Sequence, residues 1–91
     1  MRVPQATALL LHRDADRSVE QMRLSNPELE GLPLRDLRLP LDVLVLEVGR
    51  GGSSVVPSGH TVLYRGDEVT LVAKPDSLDG ARLRLVGGRT V

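Results

Sequence analysis

One stretch, residues 41–73, limits most strongly what this chain can fold into; it reads LDVLVLEVGRGGSSVVPSGHTVLYRGDEVTLVA. Four consecutive apolar residues from Val43 to Leu46 predict a strand that is buried on both faces or nearly so. The glycines at 49, 51 and 52 and the serines at 53 and 54 follow, and these residue types favour a turn. The first half of the stretch therefore predicts a strand and then a tight turn.

Further short strands are predicted in the second half of the stretch. The pair Val55-Val56 reads as a strand that Pro57 ends, since proline cannot donate to a ladder. A turn and an extended piece, residues 58–64, come next. Arg65-Gly66-Asp67 predicts a tight reversal, and residues 68–73 alternate as a half-buried strand does. The whole stretch is therefore predicted to be a β-meander of three or four short strands.

The residues before and after this stretch are predicted to add one strand and short helices. Residues 18–25 alternate and predict a first strand with Met22 and Leu24 on its inner face. Leucines between residues 28 and 39 have helical spacing, and Pro33 suits a first helical turn. A last helix is predicted to begin near Pro75, and its inner face is expected to consist of Leu78, Ala81, Arg82 and Leu83.

The two ends of the chain are expected to lie outside this unit. Residues 1–17 are predicted to be an N-terminal helix and a charged linker, and residues 84–91 a tail or an extra strand. Residues 18–83 then form one α+β domain. It is predicted to have a small mixed or antiparallel sheet with short helices packed on one face.

Leucine and valine have to build the core, because 41% of the residues are hydrophobic but Tyr64 is the one aromatic residue. A domain of 91 residues buries only a marginal core. Small cores of this kind are often completed when two copies associate. The composition therefore predicts an oligomer.

Charge and hydropathy argue against several classes of protein. Twelve basic and twelve acidic residues give no net charge, which argues against a nucleic-acid-binding surface and a polybasic membrane patch. The sequence has no cysteine, and no apolar run approaches the roughly 20 residues that span a bilayer. We expect a soluble, cytoplasmic chain that does not insert into a membrane.

No group of residues in the sequence predicts catalysis or a metal site. His12 and His60 belong to no cluster of metal ligands; His60 is expected in a turn, as at most a pH-sensitive contact. Ser53-Ser54 has no activating partner at a fixed spacing, and Asp67 is expected to hydrogen-bond the backbone of its own turn. No helix follows Gly49–Gly52, so we expect a hairpin turn there and not a phosphate cradle. The sequence therefore predicts a binding protein and not an enzyme.

The order of these motifs resembles the C-terminal subdomain of regulator-of-conductance-of-potassium proteins, called the TrkA-C or RCK-C domain. That domain has a hydrophobic strand that ends in a basic residue before a Gly turn, here VLVLEVGRGG, and a short strand that ends in proline, here SSVVP. A polar turn, a Gly-Asp pair and a closing apolar strand follow, here SGHTVLYRGDEVTLVA. The resemblance covers residues 18–83.

The resemblance implies a cytoplasmic regulatory domain that senses a ligand and dimerises, as part of a potassium or other cation channel, transporter or antiporter. In this family a nucleotide-binding subdomain precedes the domain, so residues 1–17 are expected to be its remnant or the connection to it. The chain would act as a homodimer at the inner face of the membrane, through a parent or partner protein.

A ligand cleft between the two copies is also implied by the resemblance. Some family members bind cyclic di-AMP or a metal ion there, and cyclic di-AMP is the ligand that we expect if one binds; no cofactor or metal is expected within this chain. An arginine in the cleft would pair with phosphate. The positions that match the cleft lining are Arg38, Leu44, Val45, Val56 and Pro57.

Two other functions stay open from the sequence. The same residues would pack a dimer core in a structural dimerisation module that binds no ligand. A small β-rich module that binds nucleic acid is disfavoured by the balanced charge.

Overall fold

The computed structural model describes residues 16–87, which form a four-stranded antiparallel sheet with one α-helix against it. The elements are β1 (Ser18–Arg23), β2 (Leu44–Arg50), β3 (Ser53–Val55), β4 (Glu68–Ala73) and α1 (Pro75–Arg82). The strands lie in the spatial order β1–β4–β2–β3. The predicted α+β class is confirmed, and the sheet is antiparallel throughout.

β4 lies inside the sheet and is paired on both sides. It pairs with β1, beginning at Ser18 opposite Ala73, and with β2, beginning at Leu44 opposite Val72. The chain therefore makes the β2–β3 hairpin and then crosses back to insert β4 between β1 and β2. Five of the six β4 residues are buried, so the expectation of a half-buried strand is wrong, because side chains of β1 and β2 flank those of β4 on both faces of the sheet.

The core lies between one face of the sheet and α1. Leu78 and Ala81 of α1 are buried there with residues of three strands: Met22, Val48, Val69, Leu71 and Ala73. Four leucines from the loops, Leu24, Leu29, Leu37 and Leu63, extend this core. Complete burial of an aliphatic side chain stabilises a fold by about 1.5–3 kcal/mol. Met22 and Leu24 thus face inward as the sequence predicts.

The opposite side of the sheet, which we call the open face, is covered less completely. Val19, Val72 and Leu44 lie opposite one another there, across β1, β4 and β2. Leu44 is 43% exposed, although Val72 is buried. The expectation that β2 is buried on both faces is therefore wrong for the single chain, because α1 packs against only the core face.

α1 begins where the sequence predicts, with Pro75 in its first turn. Lys74 precedes the helix and provides no side-chain cap. Asp42, from the loop before β2, takes that role instead: its carboxylate accepts a hydrogen bond from the Lys74 N–H at 3.2 Å and another from the Ser77 hydroxyl. A residue distant in sequence therefore fixes the start of this helix.

The chain continues after α1 as a π-helical turn, Leu83–Gly87. A π-helix has a wider hydrogen-bonded turn than an α-helix, and here Leu85 is buried while Leu83 is 66% exposed. The predicted inner position of Leu83 is therefore wrong, and residues 84–87 do not form a strand. The predictions for residues 1–15 and 88–91 fall outside the residues that the structure describes.

Two 3-10 turns, Pro27–Leu29 and Leu34–Asp36, replace the short helix predicted between residues 28 and 39. The N–H of Gly31 donates to Leu63 O, and the N–H of Leu34 donates to Thr61 O, both at 2.8 Å. Because these donors are satisfied by residues 61–63, they cannot serve an α-helix. The extended piece at 61–64 therefore pairs with this segment and not with the sheet.

Glycines occupy the left-handed positions of the tight turns. Gly51 and Gly52, between β2 and β3, have φ values of 56° and 82°, and Gly66 before β4 has a φ of 94°. The other predicted turn residues, Gly49 and the two serines, belong to the strands instead, because Gly49 pairs with Ser54 and extends the hairpin to its two-residue turn. Val56 lies just beyond the end of β3.

Candidate functional site

An ion pair joins the end of β2 to the turn before β4. The Arg50 Nε and Nη2 atoms donate to the two carboxylate oxygens of Asp67 at 2.9 and 2.7 Å. The same Nη2 donates to Val62 O at 2.8 Å, and the guanidinium lies 5.0 Å from the centre of the Tyr64 ring. The basic residue and the Gly-Asp pair of the sequence motif therefore meet, and they hold the extended piece at 61–64 against the sheet.

Asp67 has the turn role that the sequence predicts. Its carboxylate accepts a hydrogen bond from the Tyr64 N–H at 2.8 Å, and the side chain is almost fully buried. The hydrogen bonds from Arg50, and then that from Tyr64, hold the pKa of Asp67 below its ordinary value, although burial acts in the opposite direction. The carboxylate is thus engaged by the protein itself and fixes the turn at residues 64–67.

A cleft of about 300 Å³ lies between β2, the Leu34–Asp36 turn and the loop after β3. We call it the β2 cleft. Its apolar lining comes from Leu34, Leu44, Val45 and Pro57, and its other lining residues are Arg35, Ser58 and Gly59.

Hydrogen bonds within residues 56–61 shape one wall of the β2 cleft. The Thr61 hydroxyl accepts from the Ser58 N–H at 2.9 Å and lies 3.3 Å from Val56 O, to which it donates. The Arg35 N–H donates to Gly59 O at 3.2 Å and joins this loop to the Leu34–Asp36 turn. Both walls are therefore held by the protein's own hydrogen bonds.

Three of the five predicted ligand residues meet at the β2 cleft, namely Leu44, Val45 and Pro57. Val56 is next to Pro57 in sequence but is 84% exposed and does not line this space. Arg38 lines a second cleft of about 460 Å³. The structure thus brings three of the four apolar predicted residues together, and it places Val56 and the predicted cation, Arg38, outside the β2 cleft.

Arg35 is the cleft residue that sequence reasoning missed. It lines both clefts, and its Nη1 atom donates to Nδ1 of His60 at 2.8 Å. In an α-helix Arg35 and Arg38 would lie on the same side. The helical segment here ends at Asp36, and Arg38 has a left-handed φ of 57°; both side chains line the second cleft, but of the two only Arg35 also lines the β2 cleft. Nothing in the local residue pattern distinguishes one arginine from the other.

The second cleft is of mixed charge. Its lining residues are Glu28, Leu29, Leu32, Arg35, Asp36, Arg38 and Arg84. Arg84 is fixed, because its Nε and Nη2 atoms donate to Leu37 O at 3.1 and 2.8 Å. The Arg38 guanidinium has no hydrogen bond or ion pair with any residue between 16 and 87.

Within residues 16–87, no three histidine or acidic side chains are grouped so that they could hold a metal ion. No helix in this part of the chain has the length and apolar character needed to cross a membrane. The described residues offer apolar walls and nearby guanidinium groups, which suit a ligand with a flat apolar part and an anionic part.

Comparisons with known proteins place this arrangement in a family. The family model of the TrkA-C domain matches residues 19–85. A Trk system potassium uptake protein TrkA homolog from Pyrococcus abyssi is 30% identical over 80 residues, which are 87% of this chain and 35% of that protein. Several bacterial transport proteins match at 31–36% identity, and the chain spans only 12–14% of their length.

Solved structures agree with this assignment. An RCK domain with cda superposes with a TM-score of 0.71 and 25% identity, over 75% of this chain and 97% of the other. The RCK C domain of the potassium transport protein KtrA, in complex with cyclic diadenosine monophosphate, superposes with a TM-score of 0.65 over 84% of this chain and 93% of the other. Its identity is 18%, so this second likeness is one of fold.

Proposed function

The chain belongs to the TrkA-C domain family, and on that premise we propose that it senses a ligand and dimerises as a regulatory domain of a potassium or other cation transport protein. Residues 18–83 would form the regulatory unit, and residues 1–17 would connect it to another domain. The proposed role is binding and transmission, with no catalytic step.

The β2 cleft is the observation that carries this proposal. It surrounds one apolar space with Leu44, Val45 and Pro57, which are positions that the family resemblance assigns to ligand binding. Arg35 lies at the same space. The KtrA domain, which has the same fold, binds cyclic di-AMP. A cyclic dinucleotide combines flat bases with phosphates, so aliphatic walls and a nearby guanidinium suit it.

The open face is where we propose that a second copy binds. Leu44 belongs both to this face and to the β2 cleft, so a partner that covers Leu44 would also close the cleft. Two copies without net charge do not repel each other at long range. A ligand between them would then change the geometry of the pair. We propose that a cation channel, transporter or antiporter, on the cytoplasmic side of the membrane, responds to that change.

Thermal unfolding with added ligands, combined with light scattering for mass, tests the proposal. The ligands are cyclic di-AMP, ATP, NAD and divalent metal ions. A ligand that binds only the folded dimer should stabilise it by roughly 2.7 kcal/mol at 100 times its Kd. We expect a dimer that cyclic di-AMP stabilises and the other compounds do not.

The other outcomes separate the alternatives. A stable dimer that none of the compounds stabilises would favour the structural dimerisation module. A monomer would contradict the proposed cleft between copies. Retention on heparin that salt reverses would instead support a nucleic-acid-binding module.

A further inference from the structure

One side-chain contact joins the two walls of the β2 cleft. Arg35 lies on the Leu34–Asp36 turn and His60 on the loop after β3. The Arg35 Nη1 atom donates to His60 Nδ1 at 2.8 Å. A guanidinium has no acceptor atom, so this contact requires Nδ1 of His60 to carry no proton.

We propose that Arg35 is the anion-binding group of the β2 cleft and that protonation of His60 controls it. This inference rests on the proposed ligand-binding function, and it names the group that binds the ligand and the signal that modulates it. The ligand class is an organic anion with phosphate groups, and the modulating signal is proton concentration.

The backbone position of Arg35 supports the first half of this proposal. The N–H of Leu34 donates to Thr61 O, and the N–H of Arg35 donates to Gly59 O, so the base of the side chain is fixed at the cleft. The side chain itself is 57% exposed, which leaves its remaining N–H groups accessible to a ligand. Arg38 lines the second cleft and does not line the β2 cleft.

The surroundings of His60 support the second half of the proposal, the control of Arg35 by protonation. Histidine is the side chain that ordinarily changes charge between pH 5 and 8. Among the described residues, the charged side chain that hydrogen-bonds His60 is Arg35, and Arg35 Nε lies 3.9 Å from the Asp36 carboxylate.

Protonation changes both the hydrogen bond and the charge at this point. A protonated imidazole donates from both nitrogens, so it cannot accept from Arg35, and the two cations repel each other. The guanidinium is then released from His60, and the cleft gains one positive charge. An anion in the cleft should therefore bind more tightly as the pH falls, and by linkage the anion should favour the protonated form of His60.

Binding constants at pH 8.0 and pH 5.5 test this inference. The full chain is titrated by calorimetry with cyclic di-AMP and, separately, with inorganic sulfate, whose double negative charge does not change between these pH values and which has no bases. We expect affinity to rise on the order of fivefold at the lower pH, as for one added charge near the surface. Arg35→Ala should abolish this rise and weaken binding at both pH values.

Three further variants test the separate contributions of His60, His12 and Arg38 to the pH dependence. His60→Asn keeps an acceptor atom for Arg35 but does not titrate, so it should remove the pH dependence and keep the binding measured at pH 8.0. His12→Asn removes the other histidine and should leave the pH dependence unchanged. Arg38→Ala should also leave the pH dependence unchanged, whatever it does to affinity.

A measurement without ligand tests the contact itself. The Arg35 side-chain Nε–H and the Gly59 amide are followed by NMR between pH 5 and 8. Both signals should shift with a common midpoint in the parent chain and stay constant in His60→Asn. A folded parent chain whose Arg35 signal ignores pH would overturn the inference.

The two experiments distinguish the inference from the proposed function. Binding that survives Arg35→Ala, or that keeps its pH dependence in His60→Asn, overturns the inference and leaves ligand sensing intact. Failure of both probes to bind at either pH overturns ligand sensing and the anion-binding role of Arg35. In that case a common NMR midpoint would still support the control of Arg35 by His60.

Discussion

At the scale of single residues, the Arg50–Asp67 ion pair is the side-chain contact whose loss should lower the free energy of unfolding most. Asp67 accepts two hydrogen bonds from Arg50 and one from the Tyr64 N–H. Asp67→Asn removes the negative charge beside Arg50, and we expect urea unfolding at pH 7 to show a loss of about 2–3 kcal/mol. The loss should fall below that of a fully buried pair, because the Arg50 side chain is 39% exposed.

The same pair predicts how stability depends on pH. Because the pKa of Asp67 is lowered in the folded state, its stabilising effect is present above the ordinary aspartate pKa and is lost as the pH falls through the lowered value. The free energy of unfolding should therefore fall less on acidification in Asp67→Asn than in the parent chain. Glu68→Gln is the control: its ion pair with Arg23 is exposed, so we expect almost no change. Equal effects of the two substitutions would contradict this account.

Arg38 has a left-handed backbone conformation that glycine adopts more easily. Its φ of 57° is unfavourable for a residue with a Cβ, by about 1–2 kcal/mol. Glycine removes that strain but increases the entropy of the unfolded chain. We expect Arg38→Gly to raise the free energy of unfolding by up to about 1 kcal/mol, measured with urea. Arg35→Gly, at a residue in the Leu34–Asp36 turn, should destabilise instead; stabilisation by both would refute the explanation.

Single residues also show where prediction from sequence ends. The turn role of Asp67 follows from its place after Gly66, because a turn is a local structure. Its partner Arg50 is on another strand, and only the folded sheet brings the two together. Arg35 was missed for a similar reason, since its role depends on a loop that is distant in sequence and contacts it through Gly59 and His60.

At the scale of elements, α1 depends on a cap from outside the helix. Hydrogen bonds from the Ser77 hydroxyl and the Lys74 N–H lower the pKa of Asp42. Asp42→Ala leaves that N–H without its acceptor, so we expect the Tm to fall by a few degrees in a calorimetric scan. The helical signal in circular dichroism should fall with it.

The control for this prediction is another acid at the start of the same helix. Asp76 lies in the first turn of α1 and is exposed. Asp76→Ala loses only the interaction with the helix dipole, so its effect should be smaller. The capping role would be refuted if the two substitutions lowered the Tm equally.

The elements that sequence predicted well are those with local determinants. β4 follows the Gly66 turn and has its predicted limits, and Pro75 begins α1. The helix predicted between residues 28 and 39 failed, because its backbone donors pair with residues 61–63. A tertiary contact thus outweighed a helical leucine spacing, and the leucine pattern alone contains no information about that contact.

At the scale of the whole molecule, Leu44 tests the proposed dimer. It is 43% exposed in the single chain, so Leu44→Asp should cost the isolated domain little. In a dimer that covers the open face, the same change would bury a charge. We expect light scattering to show a monomer for Leu44→Asp, with an unchanged circular dichroism spectrum.

Leu83→Asp provides the comparison, because Leu83 is 66% exposed and follows α1 instead of lying on β2. This variant should keep the dimer mass of the parent chain. If Leu44→Asp remains a dimer, the interface does not lie on the open face.

The position of β4 between β1 and β2 has a consequence for biosynthesis. β1 has β4 as its neighbour in the sheet, and Ser18 pairs with Ala73. While the ribosome makes this domain, β1 therefore leaves the exit tunnel long before its pairing strand does. Its backbone edge and Met22 stay unprotected during that interval, and an unpaired edge is a template for wrong association. Slow elongation between β1 and β4 should thus lower the yield of folded protein, whereas slow elongation after α1 should not.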